Sequence, residues 1–366
     1  MKILQVINSL GTGGAEKLLL DTIPKYVSLG VTMDVLVLNG KQHSFLIDLQ
    51  QYKNSTIYTF GNGSVYNPLH ALRIIKFLRR YDLLHVHLFP SLYWVALAKF
   101  ISFSKTALLF TEHNTTNRRR ENPLFKILDK IMYGRYRKII TVSTEVDAGI
   151  KLHLGFKTNR FEYIQNGVPI AEIADTVPAL KEDFAIPKEE KILIQVSSFT
   201  KQKDQQTLIR SLLHINQKVM LLLVGKGPLM DDCKELVVKL QLEDHVQFLG
   251  IRMDVPALLK MADIVVLSTH FEGMSLSSIE ALASGKPFIA SNASGLAQIV
   301  KGAGILFPIG DEIILATNIN TLLQSNTLYT EVAEKCLDRA QQFNIEKMIE
   351  KHMNLYYRTV QNPKIN

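Results

Sequence analysis

Two glutamates, Glu272 and Glu280, bracket a Gly- and Ser-rich turn in the stretch FEGMSLSSIEALASGKP, Phe271 to Pro287. A carboxylate accepts hydrogen bonds from hydroxyls and offsets cations. The apolar run Ile264–Ser268 ahead of it reads as a strand, and Ser277-Ser278-Ile279-Glu280 reads as an S-x-x-E capping box. A helical run Ile279–Ala283 follows, with a stop at Gly285. Gly273, Met274, Ser275 and Leu276 thus fall in a loop at a helix start, where free amides and the helix dipole hold anions. The capping box alone accounts for Glu280. Glu272, out in the loop, gains little structurally and is the better hydroxyl acceptor.

Other residues carry weaker signals of the same kind. Near the start, Gly11-Thr12-Gly13-Gly14-Ala15-Glu16 joins a strand to a helix. Its glycines suit a tight turn or the close approach of a ligand. It is no dinucleotide fingerprint: the last glycine is Glu16, and the second strand ends at Leu38-Asn39 without an acidic residue for a ribose. His85 and His87 alternate on a strand and share a face. Metal ligation needs more partners than the chain offers them, so they read as core or site-edge histidines. His113 follows the strand Ala107–Thr111 at its carboxyl end. Lys203 stands in the loop SSFTKQKDQQTLI, Gly225 ends the strand Val219–Val224, and Phe248 and Leu249 end the strand Val246–Leu249. No Asp-x-Asp pair occurs, so no metal is expected to hold a diphosphate.

These residues need a scaffold, and the hydrophobic pattern names one. Strand-like runs at Lys2–Ile7, Val35–Leu38, Leu83–His87, Ala107–Thr111 and Lys138–Val142 alternate with helical stretches such as Ala15–Leu29 and Pro68–Arg80. The rhythm returns at Ile192–Ser197, Val219–Val224, Val246–Leu249, Ile264–Ser268, Phe288–Ala290 and Ile305–Phe307. Such alternation implies parallel sheets covered on both faces. The 366 residues suit two domains. The stretch 166–187, with three prolines, reads as a linker between them. The expected division is 1–170, 171–344 and a last segment 345–366 whose helix, Ile345–Val360, packs back on the first domain.

Composition narrows the rest. Two cysteines, Cys233 and Cys336, make neither a zinc motif nor a disulfide framework and fit a reducing compartment. Lys2–Ile7 is too short and polar for a signal peptide, and no run of 18 apolar residues spans a membrane. Residues 1–165 hold 22 basic against 11 acidic side chains, +11, and the remainder is −3. The helix 69–80 aligns Leu69, Leu72, Ile75 and Leu78, with Arg73, Lys76, Arg79 and Arg80 largely off the stripe. With Asn117–Pro123 it suggests contact with an anionic membrane. Nucleic acid is not expected, since no recognition module appears and aromatics do not interleave with the charge.

The setting S-x-x-x-E-G-x-S-x-x-x-x-E-A-x-A-x-G-x-P around Glu272 and Glu280 resembles the retaining, nucleotide-sugar-dependent glycosyltransferases of GT-B architecture, family 4 type. The resemblance covers nearly the whole chain and implies two Rossmann-like domains facing a cleft that closes for reaction. It implies that Glu272 binds the donor sugar, Glu280 the ribose, and Lys203 with the amides of 273–276 the diphosphate. Gly13, Gly14 and His113 form the opposite wall, with Gly225 near the nucleotide and Phe248–Gly250 near the base. Where the family commonly has an arginine this chain has Ser198; Lys201 is the nearest substitute. The implied reaction moves a sugar from a nucleotide diphosphate, UDP first, to a saccharide or lipid-linked hydroxyl at the cytoplasmic membrane face, by front-face displacement. A nucleotide-sugar epimerase and a catalytically silent nucleotide-sugar-binding subunit are the alternatives. Product analysis with donor alone, and turnover against binding, separate them.

Overall fold

The computed structural model describes residues 1–114 and 118–361, with only the backbone at 118 and 119. Two compact units divide the chain: Met1–Asn166 together with Ile345 onward, and Gly167–Asn344.

The first unit is built on seven strands: β1 Lys2–Ile7, β2 Thr32–Val37, β3 Ile57–Thr59, β4 Leu83–His87, β5 Ala107–Glu112, β6 Lys138–Thr141 and β7 Phe161–Tyr163. All pair in parallel in the order β3-β2-β1-β4-β5-β6-β7. Between them run α1 Gly14–Ser28, α2 Ser44–Gln51, α3 Leu69–Leu78, α4 Ser91–Ser102, α5 Pro123–Tyr133 and α6 Thr144–Leu154. Helices on both faces leave the central strands without a solvent side, so β1, β4 and β5 are almost continuously buried. One core cluster joins Leu4, Val6, Leu84 and Phe110 of the sheet to Ile74 and Phe77 of α3 and Tyr133 of α5.

The second unit repeats the plan with β8 Lys191–Val196, β9 Val219–Val224, β10 Val246–Gly250, β11 Ile264–Leu267, β12 Phe288–Ser291 and β13 Ile305–Phe307. These strands too are parallel, in the order β10-β9-β8-β11-β12-β13. Its helices are α7 Ile170–Asp175, α8 Gln205–Ser211, α9 Met230–Lys239, α10 Val255–Met261, α11 Leu276–Ala283, α12 Leu296–Val300, α13 Glu312–Gln324 and α14 Asn326–Ala340. The last helix, α15 Ile345–Gln361, belongs to the first unit and buries Met348, His352, Leu355 and Tyr356 there. No described helix is long and apolar enough to cross a membrane.

Three local readings need correction. The stretch 166–187 is not a bare linker: Ile170 and Ile173 of α7 are buried, and the Val168 amide donates to Phe343 O at 2.9 Å. Its prolines flank packed chain instead of breaking it. On α3 the buried face is His70, Ala71, Ile74, Phe77 and Leu78, while Leu69 and Leu72 are exposed. A histidine hides that face from an apolar count: its ring stacks on Phe60 at 5.4 Å and its Nε2 bonds Ser64 O at 3.0 Å. Finally, β2 starts at Thr32, because buried Asp34 is satisfied by Tyr81 Oη and the Thr56 amide and so tolerates the sheet.

Candidate functional site

In an open parallel sheet the chain leaves a crevice where the strand order reverses, outside the carboxyl ends of the two central strands. In the second unit that point lies between β8 and β11. The loops leaving them, 197–204 and 268–275, are laced together. The His270 amide donates to Gln202 O at 2.9 Å and the Asp204 amide to Ser268 O at 3.1 Å. Thr269 Oγ1 donates to Gln202 O at 2.8 Å, and Lys203 and Thr269 form an antiparallel bridge. Beneath them, buried Gln195 accepts from the Ser268 amide at 3.1 Å and donates to Ser197 Oγ at 3.0 Å.

The lacing brings Lys203 and Glu272 together as an ion pair, Nζ to Oε2, with side chains only 8% and 9% exposed. A pair so withdrawn from water is held by its own attraction, and removing either partner strands the other charge. The Glu272 turn rests on Gly295, at φ +80°, where a Cβ would lie 2.3 Å from the Glu272 carbonyl oxygen. Gly225, at φ +132°, lies against the other loop, where a Cβ would meet the Ser197 carbonyl oxygen at 2.1 Å. That contact accounts for this glycine without a ligand.

The capping box is not formed. Leu276 is buried and draws the helix start forward, so Ser275 is the N-cap of α11 and its side chain makes no cap hydrogen bond. Ser275 Oγ meets Ser277 Oγ at 2.9 Å instead. Glu280 falls in the second turn, buried and too far along the helix to reach back to the cap. The helix start of α11 takes no cap bond from the Ser275 side chain and lies beside half-buried Gly273 and Met274 and next to Glu272. Ser198 and Lys201 are both exposed. Phe248 and Leu249 are half-buried at the end of β10, with the Phe248 ring 5.9 Å from that of buried Phe199.

In the first unit the order reverses between β1 and β4. Asn8 ties the two exits: its Nδ2 donates to Phe89 O at 2.7 Å, and its Oδ1 accepts from the Ser91 amide and hydroxyl at 3.1 and 2.7 Å. Gly13 caps α1 through its backbone alone and, with Gly14, is exposed. Glu16, just inside the helix, has its carboxyl pushed up by burial.

His113 stands past β5 at the head of a chain of neutral groups. Its Nε2 lies 3.1 Å from His87 Nδ1, and His87 Nε2 lies 2.8 Å from Gln5 Oε1. The Gln5 amide nitrogen faces two acceptors, Met33 Sδ and Tyr356 Oη, both at 3.3 Å, which sets its carbonyl toward His87. A carbonyl only accepts, so His87 carries its proton on Nε2 and accepts from His113 Nε2–H. His113 therefore keeps its Nδ1 unprotonated. Burial holds His113 down at about 4 and His352 at about 3, and His85 and His87 well below the usual imidazole value. His85 bridges Tyr356 Oη and Thr111 Oγ1 at 2.7 Å each, and His352 Nδ1 meets Tyr26 Oη at 2.5 Å. His87 and, behind it, Gln5 back His113; the shared face of His85 and His87 signalled His87, and nothing in the sequence signalled Gln5.

Among the described residues no three His, Cys, Asp or Glu side chains are grouped to hold a metal. Of the basic segment 117–123, Asn117 and the side chains of Arg118 and Arg119 lie outside the described residues. Arg120 turns inward to Glu112 at 2.9 Å and so leaves the surface.

Residues 12–172 match the family described as Glycosyltransferase Family 4, and residues 177–343 match Glycosyl transferases group 1. The chain is similar to the N-acetyl-alpha-D-glucosaminyl L-malate synthase of Bacillus anthracis, 33% identical over 190 residues, half of each chain. It spans about half the length of this relative and of the putative glycosyltransferase EpsD of Bacillus subtilis (strain 168), at 50% and 54%. Over 93% of its length it is 24% identical to 96% of the lipopolysaccharide core biosynthesis glycosyltransferase LpsD of Rhizobium meliloti (strain 1021). Anabaena Alr3699/HepE in complex with UDP and glucose shares the fold, with TM-score 0.84 and 23% identity over 98% of this chain and all of that one.

Proposed function

The chain belongs to the group 1/family 4 glycosyltransferases of GT-B architecture, and on that premise we propose that it moves a sugar from a nucleotide diphosphate sugar to an acceptor hydroxyl. One observation carries this reading: the buried Lys203–Glu272 pair at the reversal point of the six-stranded sheet, next to the uncapped start of α11. A diphosphate and a polyol together satisfy that arrangement. The ammonium and the amides of 273–276 take the phosphate charge, and the carboxylate, released from Lys203, accepts from sugar hydroxyls. Glu280 is assigned to the ribose, and Gly225, Phe248 and Leu249 to the nucleotide's base side. In the first unit Gly13, Gly14 and His113 are assigned to the sugar and acceptor.

UDP is the nucleotide we assign, since UDP occupies the Alr3699/HepE structure. The transferred group is a hexose or N-acetylhexosamine, with retention through a front-face displacement in which the leaving phosphate helps deprotonate the acceptor. A relative from Campylobacter jejuni is named for transfer to a diphospho-undecaprenol saccharide. With the +11 charge of residues 1–165, this supports a lipid-linked acceptor in surface polysaccharide assembly, at the cytoplasmic face of an anionic membrane. The catalytically silent binding subunit is favoured by one feature: Ser198 stands where an arginine is expected, and Lys203 is already engaged.

A thermal-shift screen against UDP-, GDP- and dTDP-sugars tests the donor, because a ligand of the folded state raises the melting temperature by mass action. UDP-sugars are expected to shift it. Release of UDP in the presence of acceptor then separates transferase from silent binder. No shift with any nucleotide sugar removes the reading.

A further inference from the structure

The surface of α5 is built for something other than water. Asn122 caps the helix, accepting from the Leu124 amide at 2.9 Å, and Pro123 fits its first turn. Its orientation is fixed from inside: Asp129 takes Tyr93 Oη at 2.6 Å and His153 Nε2 at 2.8 Å, and Tyr133 Oη donates to Glu112 at 2.7 Å. With 3.6 residues per turn, Leu124, Ile127 and Ile131 then fall on the side opposite Asp129. They are 75%, 62% and 50% exposed. The end of α4, which packs on α5, adds Phe100 and Phe103, the latter 87% exposed, and Arg135 lies 4.8 Å over the Phe100 ring.

The exposed charges of α5 itself are of one sign. Lys126 and Lys130 are exposed along one side of the ridge on α5, and Lys105 and Arg135 are exposed at the helix ends. The helix's one carboxylate, Asp129, is turned inward; Glu121 is exposed just before the cap. We infer that the α5 ridge with the end of α4 docks onto an anionic lipid surface. An apolar ridge edged by lysines matches a helix lying in the membrane interface: the aliphatic side chains enter the acyl boundary and the ammonium groups meet lipid phosphates. A second copy fits poorly, because each would bring the same lysines to the contact. The inference rests on the membrane contact proposed above and moves its seat from α3 and residues 117–123 to α5.

The test uses the full chain, sedimented with vesicles of phosphatidylcholine alone or of equal parts phosphatidylcholine and phosphatidylglycerol. Wild type is expected to bind the anionic vesicles and to release in high salt. A ridge variant, L124S/I127S/I131S, and a charge variant, K126Q/K130Q, should each bind about tenfold less or weaker still, with melting temperature kept. An α3 variant, L72S/K76Q, should bind like wild type. Absence of wild-type binding overturns the inference, as does equal binding by the α5 variants or loss in the α3 variant alone. A wild-type dimer that the ridge variant converts to monomer assigns the face to a second copy and overturns it too. Nucleotide release from UDP-sugar with a soluble acceptor is read separately. If binding stands and turnover is absent, the transferase reading fails and the surface survives; the reverse leaves the enzyme without its dock.

Discussion

The two units solve the same placement problem with opposite electrostatics. At the reversal point of the six-stranded sheet the chain buries a full ion pair, Lys203 with Glu272. Beside the reversal point of the seven-stranded sheet it places a file of uncharged groups, His113, His87 and Gln5, with His85, His352 and Tyr356 packed against them. The ionic side stores charge that a ligand can claim. The neutral side stores direction, since the His87 proton is fixed by the Gln5 carbonyl, which cannot donate, and the His113 proton by the nitrogen of His87 left unprotonated.

The strongest way to break the comparison is at the carboxylate. Glu272→Ala is expected to cut sugar transfer about a hundredfold or more, read as UDP release under saturating donor. Lys203→Met should cost about 3 kcal/mol of stability by stranding Glu272. The double variant K203M/E272Q should recover most of that stability while transfer stays lost. Recovery of transfer would show that the pair only supports the loop.

On the neutral side the expected effects are smaller. His87→Leu removes the acceptor of His113 Nε2–H and should lower kcat about tenfold with little change in the donor's KM. His87→Gln, which keeps a polar partner, should restore part of it. The imidazoles also set a pH dependence. Their folded-state values lie below the unfolded 6.5, so the unfolded chain binds more protons as pH drops. Stability is complete above about 6.5 and is lost on acidification toward about 4 for His113 and about 3 for His352. Each group contributes about 1.4 kcal/mol per pH unit in its window. Replacing His352 with Phe should flatten a denaturation-midpoint curve over that range. The smallest effect belongs to Ser277→Ala, less than about 0.5 kcal/mol by chemical denaturation, where a working cap would lose about 1 kcal/mol.

The central strands were legible because fully buried parallel strands are written as unbroken aliphatic runs, VMLLLV of β9 being the plainest. The edge strands β3 and β7 were not: three residues each and half wet, they have no periodicity to show. Glu272, Lys203 and His113 were legible as chemistry-bearing side chains at strand exits. Their actual partners were not, because Lys203 meets Glu272 across 69 residues and His87 meets Gln5 across 82. The capping box misled for a local reason: S-x-x-E is satisfied in letters, while the burial of Leu276 decides where the helix begins. On α3 a stacked histidine took the place of an apolar residue and shifted the apparent stripe around the helix.

The return of α15 to the first unit has a consequence for how the protein is made. Gln5, Tyr26 and His85 wait for His352 and Tyr356, which leave the ribosome only after the whole second unit, itself drawn from one unbroken stretch. Vectorial synthesis thus favours the later-encoded unit finishing first, with the polar interior of the earlier one unsealed until α15 has followed it.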